Sequence, residues 1–138
     1  MAIKKNTDLT FDQKAFTIII AGAPGVGKTT LALSAPKPLL FDFDKGVSRV
    51  RAEHRGMTSE CDTYEEFLAD LETPEYKDCE TVILDTGGSL VQMMQPWARA
   101  NDRKAASDGR AMFGVIKSEF TRLTAQLRAD GKNVVILF

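Results

Sequence analysis

A glycine-rich stretch of eight residues constrains this chain of 138 residues more than any other feature. It reads GAPGVGKT, from Gly22 to Thr29, and follows the apolar, β-branched segment Phe16–Ala21. An apolar segment without alternation is typical of a strand buried on both faces. A helix is predicted from Lys28 to about Ser34, because the prolines that follow stop it. The chain is therefore expected to contain a strand, a glycine turn and a helix in direct succession.

The octapeptide fits the Walker A pattern, G-x-x-x-x-G-K-[ST]. Glycines let successive backbone N–H groups face one phosphate, and the start of the helix adds a partial positive charge. Lys28 can reach the β- and γ-phosphates, so it is also a predicted catalytic residue, and the Thr29 hydroxyl can bind Mg²⁺. A chance match is the alternative, but the strand and helix on either side are the context that the mechanism requires. ATP is favoured over GTP, and the predicted nucleotide-binding residues are Gly22, Ala23, Pro24, Gly25, Val26, Gly27, Lys28, Thr29 and Thr30.

Strand and helix signals alternate along the rest of the chain. Apolar segments predict further strands at Leu39–Asp44, Thr81–Asp85 and Val134–Phe138. This alternation is typical of an α/β fold whose parallel sheet is covered on both faces. The prediction is a P-loop NTPase three-layer sandwich with a mainly parallel sheet. Residues 1–14 are predicted to be a polar lead-in, and residues 15–138 a nucleotide-binding domain that is incomplete at its C-terminus.

Three more helices are predicted between these strands. The first begins at Thr63, where Glu66 completes a capping box. The second runs from Ser89 through Trp97, with Pro96 bending or ending it, and the polar residues 101–111 are expected to form a loop. The third ends before Gly131 and buries an apolar stripe against the sheet, namely Phe113, Ile116, Phe120, Leu123 and Leu127.

A Mg²⁺ site of this kind needs an acidic residue at the end of a neighbouring strand. Asp85 ends an apolar strand and fits that role, whereas the alternative is that it only caps the next helix. The predicted metal residues are therefore Thr29 and Asp85, with ATP and Mg²⁺ as the predicted cofactors.

Hydrolysis also requires a residue that orients the attacking water. Thr86, rather than a glutamate, follows Asp85, so that carboxylate must come from elsewhere or be absent. Asp42 and Asp44 end the second strand and alternate onto the same face. One of them can orient water while the other caps the turn at Gly46, or both are turn residues.

The segments GAPGVGKTT, FDFDKG and ILDTGGSL together resemble the RecA-like ATPases. More narrowly, the chain from Phe16 onward resembles phage-encoded ATP-binding proteins of single-strand annealing recombination. The resemblance implies that Asp44 is the catalytic carboxylate, one methylene shorter than the glutamate of RecA, and that Thr86 supplies a hydroxyl after the Walker B aspartate. It also implies that the fourth strand lies between the first and the third. The γ-phosphate sensor and the DNA loops of that family lie around or beyond Phe138.

Charge is unevenly distributed along the chain, although the net charge is only −1. Residues 60–80 carry nine acidic side chains and one basic one, so nucleic acid is not expected there. The basic residues near Trp97 are the better candidates for a single-stranded DNA contact, although a lone tryptophan on a helix more often packs into the core. They are Arg99, Arg103, Lys104 and Arg110.

Other features bear on partners and location. The basic segment Arg49–Arg55, which includes His54, is read as a solvated face, with a trans-acting arginine or a DNA contact as the alternative. Cys61 and Cys79 have no metal spacing and are expected to be reduced structural thiols. The chain carries no signal peptide and no apolar segment long enough to span a membrane, so a cytoplasmic location is expected, in the host cell if the protein is phage-encoded.

The leading hypothesis is a DNA-recombination ATPase that forms a homo-oligomer at full length and uses ATP to bind single-stranded DNA. A small-molecule or nucleotide kinase is the second possibility, with residues 101–111 as its lid or acceptor site. A non-hydrolysing, ATP-dependent switch is the third. Residues 1–138 alone are expected to bind nucleotide but to be a poor ATPase and a poor DNA binder.

Overall fold

The computed structural model describes residues 2–5, 7 and 15–138. In these residues one sheet has five parallel strands in the spatial order β1-β5-β4-β2-β3. The strands are β1 (Thr17–Ile20), β2 (Pro38–Asp42), β3 (Met57–Ser59), β4 (Thr81–Asp85) and β5 (Asn133–Leu137). The predicted α/β class with a parallel sheet is confirmed. Most of the predicted lead-in, residues 1–14, lies outside the described residues.

The position of β5 agrees with the order implied by the sequence resemblance. This strand lies between β1 and β4, and Val135 pairs in register with Ile18 on one side and with Ile83 on the other. The strand that carries the glycine loop and the strand that ends at Asp85 are therefore next-nearest neighbours. Their carboxyl ends meet at one edge of the sheet, which is where open α/β sheets bind ligands.

The burial predicted for the first strand is wrong. β1 is an edge strand in the described part of the chain, and Ile19 is 64% exposed. Among the described strands, it pairs with β5 alone. The sequence pattern indicates an apolar strand, but it does not show how far other elements cover the two faces of that strand.

The helices are α1 (Lys28–Ala32), α2 (Tyr64–Asp70), α3 (Pro74–Asp78), α4 (Gly87–Asn101), α5 (Arg103–Ser107) and α6 (Gly109–Ala129). The loop predicted at residues 101–111 is wrong, because α5 and the first turn of α6 occupy it. Asp102 and Asp108 cap these two helices by accepting hydrogen bonds from the backbone N–H groups of Ala105 and Arg110. Pro96 lies inside α4 and does not end it. In the described residues, no helix has the length and apolar character needed to cross a membrane.

The sheet carries two unequal cores. Alternate residues of β2, β4 and β5 pack under α2, α4, α5 and α6 in the larger core, which includes Phe41, Leu84 and Ile136. The intervening residues, among them Leu40 and Ile83, face Ala32 of α1. This alternation produces the three layers, with a thin second face covered by the short helix that follows the glycine loop.

Several local predictions are confirmed. Thr63 caps α2 as predicted, by accepting a hydrogen bond from the Glu66 N–H at 3.2 Å. The capping box itself differs from the prediction, because the Glu66 carboxylate accepts from the Asp62 N–H at 2.7 Å, one residue before the cap. Gly131 follows α6 with a φ of 76°, and the neighbouring backbone bonds form a Schellman motif. Trp97 packs edge-on against Tyr64 at 5.0 Å, which agrees with the core reading of this tryptophan. Both cysteines are free and buried, and burial raises the pKa of the Cys61 thiol to about 11.

Candidate nucleotide site

The loops that follow β1, β2 and β4 enclose a cavity of about 800 Å³ at the carboxyl edge of the sheet. Ligand sites occupy roughly 300–1,000 Å³, so this cavity is large enough for a nucleotide. Most of the predicted nucleotide-binding residues line it, whereas Ala23 and Val26 do not. Val26 is exposed. From the other loops, the lining includes Asp44, Asp85 and Thr86.

The glycine loop takes its shape from backbone angles that other residues avoid. Gly25 has a φ of 79° and Gly27 a φ of 95°, in the left-handed region that favours glycine. A Cβ at either position would meet no atom within 4 Å, so the constraint is conformational rather than one of space. The Lys28 ammonium curls back and donates to the carbonyl oxygens of Gly22 at 2.5 Å and Ala23 at 2.8 Å. The loop therefore holds its own lysine at the mouth of the predicted phosphate cradle.

The two predicted metal residues are in direct contact. The Thr29 hydroxyl donates a hydrogen bond of 2.7 Å to Oδ2 of Asp85. Burial is the largest cause that raises the pKa of the Asp85 carboxyl, and the charges of Asp42 and Asp44 raise it further. Thr29 and Lys28 act in the opposite direction. A half-buried carboxylate with two acidic neighbours would be stabilised by a bound cation.

These oxygens suit Mg²⁺, which prefers hard oxygen ligands. In the described residues, no group of three or more His, Cys, Asp or Glu side chains is placed to hold a metal ion. That finding is compatible with Mg²⁺, because this ion keeps several waters and is usually bound through one or two protein ligands together with nucleotide phosphates. Thr29 and Asp85 therefore fit the ion that the sequence predicts.

The two aspartates after β2 have different environments. Asp42 is fully buried, and its carboxylate accepts hydrogen bonds from the backbone N–H groups of Gly46 at 2.9 Å and Val47 at 2.8 Å. Asp44 is exposed and lines the cavity. Asp42 is thus the residue that caps the turn at Gly46, and Asp44 is the carboxylate available to a ligand.

A chain of hydroxyl groups connects Asp44 to the end of β4. Thr86 caps α4 through the Ser89 N–H at 3.2 Å, and its hydroxyl donates to the Ser89 hydroxyl at 3.1 Å. The Ser89 hydroxyl in turn donates to Oδ1 of Asp44. The sequence analysis did not identify Ser89 as a site residue. Its position three residues after a capping threonine was the available signal, but the link to Asp44 depends on the pairing of β2 with β4.

Basic residues from the segment after β2 also line the cavity. Arg49, Arg51 and His54 are exposed there, although the sequence analysis assigned this segment to a solvated face. In contrast, the basic residues between Arg99 and Arg110 do not line this cavity. The pattern of the sequence does not show which of these two basic segments lies at the cavity. Their placement depends on where each segment lies relative to the sheet.

Comparison with known proteins gives one family match. The model of a family described as AAA domain matches residues 14–138, which is nearly the whole chain. No curated protein and no solved structure matches the chain significantly.

Proposed function

The chain belongs to the AAA domain family, and from this premise we propose that it is a Mg²⁺-dependent ATPase. Membership of this family makes it an ATP-binding protein of the P-loop class. The observation that carries the proposal is the hydrogen bond between Thr29 and Asp85. It unites the hydroxyl that follows the phosphate-binding lysine and the carboxylate that ends a neighbouring strand, at the place where a P-loop ATPase needs both.

In the proposed complex each group of the loop has one task. Backbone N–H groups between Gly22 and Thr29 donate to phosphate oxygens. Lys28 exchanges its two carbonyl acceptors, Gly22 and Ala23, for the β- and γ-phosphates. Mg²⁺ supplies charge neutralisation at the β- and γ-phosphates when it is bound. Thr29 and Asp85 hold that ion, directly or through its waters.

Asp44 is the proposed residue for hydrolysis. A water molecule attacks the γ-phosphorus, the bond from that phosphorus to the bridging oxygen breaks, and ADP and phosphate form. The Asp44 carboxylate accepts the hydrogen bond of the attacking water and receives its proton. One oxygen of Asp44 is occupied by Ser89, which orients the carboxylate and leaves the other oxygen for water.

The direct test measures nucleotide affinity and phosphate release. ATP, ADP and GTP are titrated with and without Mg²⁺, and turnover is followed as release of inorganic phosphate. We expect tighter binding of ATP than of GTP, binding strengthened by Mg²⁺, and slow turnover that Asp44→Asn abolishes. Binding without turnover would leave the nucleotide site standing and favour the non-hydrolysing switch. Failure of ATP to bind with Mg²⁺ would overturn the proposal.

Single-stranded DNA is the proposed macromolecular partner, on the strength of the sequence resemblance. Exposed basic side chains at the junction of α4, α5 and α6 support it, and Trp97 and Lys104 line a shallow hollow of about 500 Å³ beside them. A homo-oligomer that acts in phage recombination belongs to the same proposal. ATP turnover is measured with and without single-stranded DNA, in the parent and in Arg103→Ala. Stimulation that is weaker in the variant supports the DNA role, and turnover unaffected by DNA contradicts it.

The kinase alternative has less support. The segment offered as its lid, residues 101–111, is helical and buries Ala105 against the larger core. Transfer of the γ-phosphate to a nucleoside or metabolite, rather than to water, would nevertheless favour the kinase.

A further inference from the structure

Two arginines in the segment after β2, Arg49 and Arg51, have no role in the proposed ATPase mechanism. Arg49 ends one short 3₁₀ helix, Val47–Arg49, and Arg51 precedes a second, Ala52–His54. Both side chains line the same cavity as the glycine loop. In the part of the chain that the structure describes, neither guanidinium forms a hydrogen bond or an ion pair with another residue. An unpaired guanidinium in a cavity favours an anionic ligand, because its N–H donors match the geometry of phosphate oxygens.

Other groups hold the backbone of this segment in place. Asp42 binds its first residues through the Gly46 and Val47 N–H groups. At the other end, the Arg55 guanidinium donates to the carbonyl oxygens of Val50 and Ser48, each at 2.8 Å. Val50, which lies between Arg49 and Arg51 in the sequence, is buried. The segment is therefore fixed without Arg49 or Arg51, whose side chains remain available to a ligand.

The formal charges of the cavity lining favour an anion only when these two residues are counted. Without them, Lys28 stands against Asp44 and Asp85, and the lining is formally negative with His54 counted as neutral. Mg-ATP is itself negative, so binding would bring like charges together. With Arg49 and Arg51 included, the formal net charge of the lining becomes positive.

The position of Arg49 indicates which phosphate is concerned. One nitrogen of its guanidinium, Nη1, lies 4.0 Å from the place where a Cβ on Gly46 would stand. The group therefore lies over the turn that follows Asp44, and a carboxylate that orients the attacking water must lie beside the γ-phosphate. We infer that Arg49 and Arg51 bind the terminal phosphate of ATP from within the same chain and make the site selective for the triphosphate. This inference rests on the proposed function.

The experiment compares affinities for ATP and ADP, each with Mg²⁺, in the parent, Arg49→Ala, Arg51→Ala and the double variant. Charge-assisted hydrogen bonds to phosphate lead us to expect a loss of about tenfold in ATP affinity for each single variant and less than about threefold for ADP. The double variant Lys117→Ala/Arg128→Ala removes the same charge from exposed positions of α6 outside the cavity and should bind both nucleotides as the parent does. Arg49→Lys should recover only part of the loss, because lysine lacks the guanidinium fork.

The possible results distinguish failure of this inference from failure of the proposed function. If the parent binds ATP and the arginine variants bind it equally well, this inference is overturned and the proposed function stands. An equal loss for ATP and ADP, or the same loss in the Lys117/Arg128 control, also overturns it. If Lys28→Ala binds ATP as the parent does, both the proposed function and this inference fail. Thermal unfolding of each variant verifies the fold, and Arg49→Gln replaces Arg49→Ala if the alanine variant is unstable.

Discussion

The Thr29 hydroxyl donates a hydrogen bond of 2.7 Å to the Asp85 carboxylate, although 56 positions separate the two residues in the chain. The pair brings together the first turn of α1 and the end of β4. It also leaves a half-buried carboxylate that carries an electrostatic cost while no cation is bound.

The first prediction concerns this pair. Asp85→Asn keeps an acceptor for Thr29 but loses the charge, so the gain in ATP affinity on adding Mg²⁺ should largely disappear. Affinity without Mg²⁺ should change little. The apo variant should melt at or above the parent temperature at neutral pH, because a raised carboxyl pKa means that ionisation opposes folding. An unchanged Mg²⁺ effect in both Asp85→Asn and Thr29→Ala would remove both residues from the metal site.

The first prediction also fixes the direction in which the Mg²⁺ effect changes with pH. Only ionised Asp85 attracts the cation, and burial raises the pKa of this carboxyl. The Mg²⁺-dependent part of ATP affinity should therefore decline on acidification at a higher pH than an exposed aspartate would require. Titrations between neutral and mildly acidic pH, with Asp85→Asn as the insensitive control, measure this. A flat profile in the parent would contradict it.

The second prediction is that Lys28→Ala lowers ATP affinity about a hundredfold or more, since this lysine is the proposed cationic partner of the β- and γ-phosphates. The fold should survive, because the Lys28 side chain bonds only to carbonyl oxygens of its own exposed loop. Titration with labelled ATP measures the loss. Lys117→Ala, which removes an exposed lysine from α6, is the control and should bind normally.

The third prediction separates the two aspartates after β2. Asp44→Asn should retain ATP affinity and thermal stability but lose turnover. Asp42→Asn should destabilise the protein by about 1–3 kcal/mol, because the amide can accept from only one side where the carboxylate accepts from the Gly46 and Val47 N–H groups. Phosphate release and thermal unfolding are measured on both variants. Turnover at the parent rate in Asp44→Asn would remove Asp44 from catalysis.

The fourth prediction uses two glycines that differ in backbone angle. Gly27 has a φ of 95°, so Gly27→Ala should cost about 1–3 kcal/mol of stability and distort the phosphate cradle. Gly114 lies inside α6 with open space around it, so Gly114→Ala should add about 0.5–1 kcal/mol. Chemical denaturation measures both changes. Equal effects of the two substitutions would argue against the loop conformation described above.

The fifth prediction concerns acid stability. Glu119 accepts hydrogen bonds from Arg122 and from the buried Tyr64, and the bond with Arg122 is the main cause that lowers the pKa of its carboxyl. A lowered carboxyl pKa contributes stability above the unfolded-state pKa, and that contribution is lost as the pH falls through the folded-state pKa. Glu119→Gln should therefore lower the melting temperature at neutral pH, with a difference that shrinks in acid. A difference independent of pH would show that packing, not charge, is responsible.

Much of the fold follows from local patterns that the sequence displays. The glycine octapeptide requires left-handed angles, and these occur at Gly25 and Gly27. The strand Thr81–Asp85 has the predicted bounds because it is apolar and bordered by polar residues. Capping of α2 and the end of α6 also depend on residues within one helical turn. In each case the determining contacts lie within a few positions of one another.

Other features depend on contacts between residues far apart in the sequence, and only the tertiary structure decided them. The exposure of Ile19 follows from the edge position of β1. The approach of Ser89 to Asp44 and the placement of Arg49 in the nucleotide cavity both arise where loops from separate strands meet. Local sequence sets backbone angles and apolar faces. The meeting of these loops is set by strand order, because the pairing of β2 with β4 brings residues tens of positions apart in the chain to one edge of the sheet.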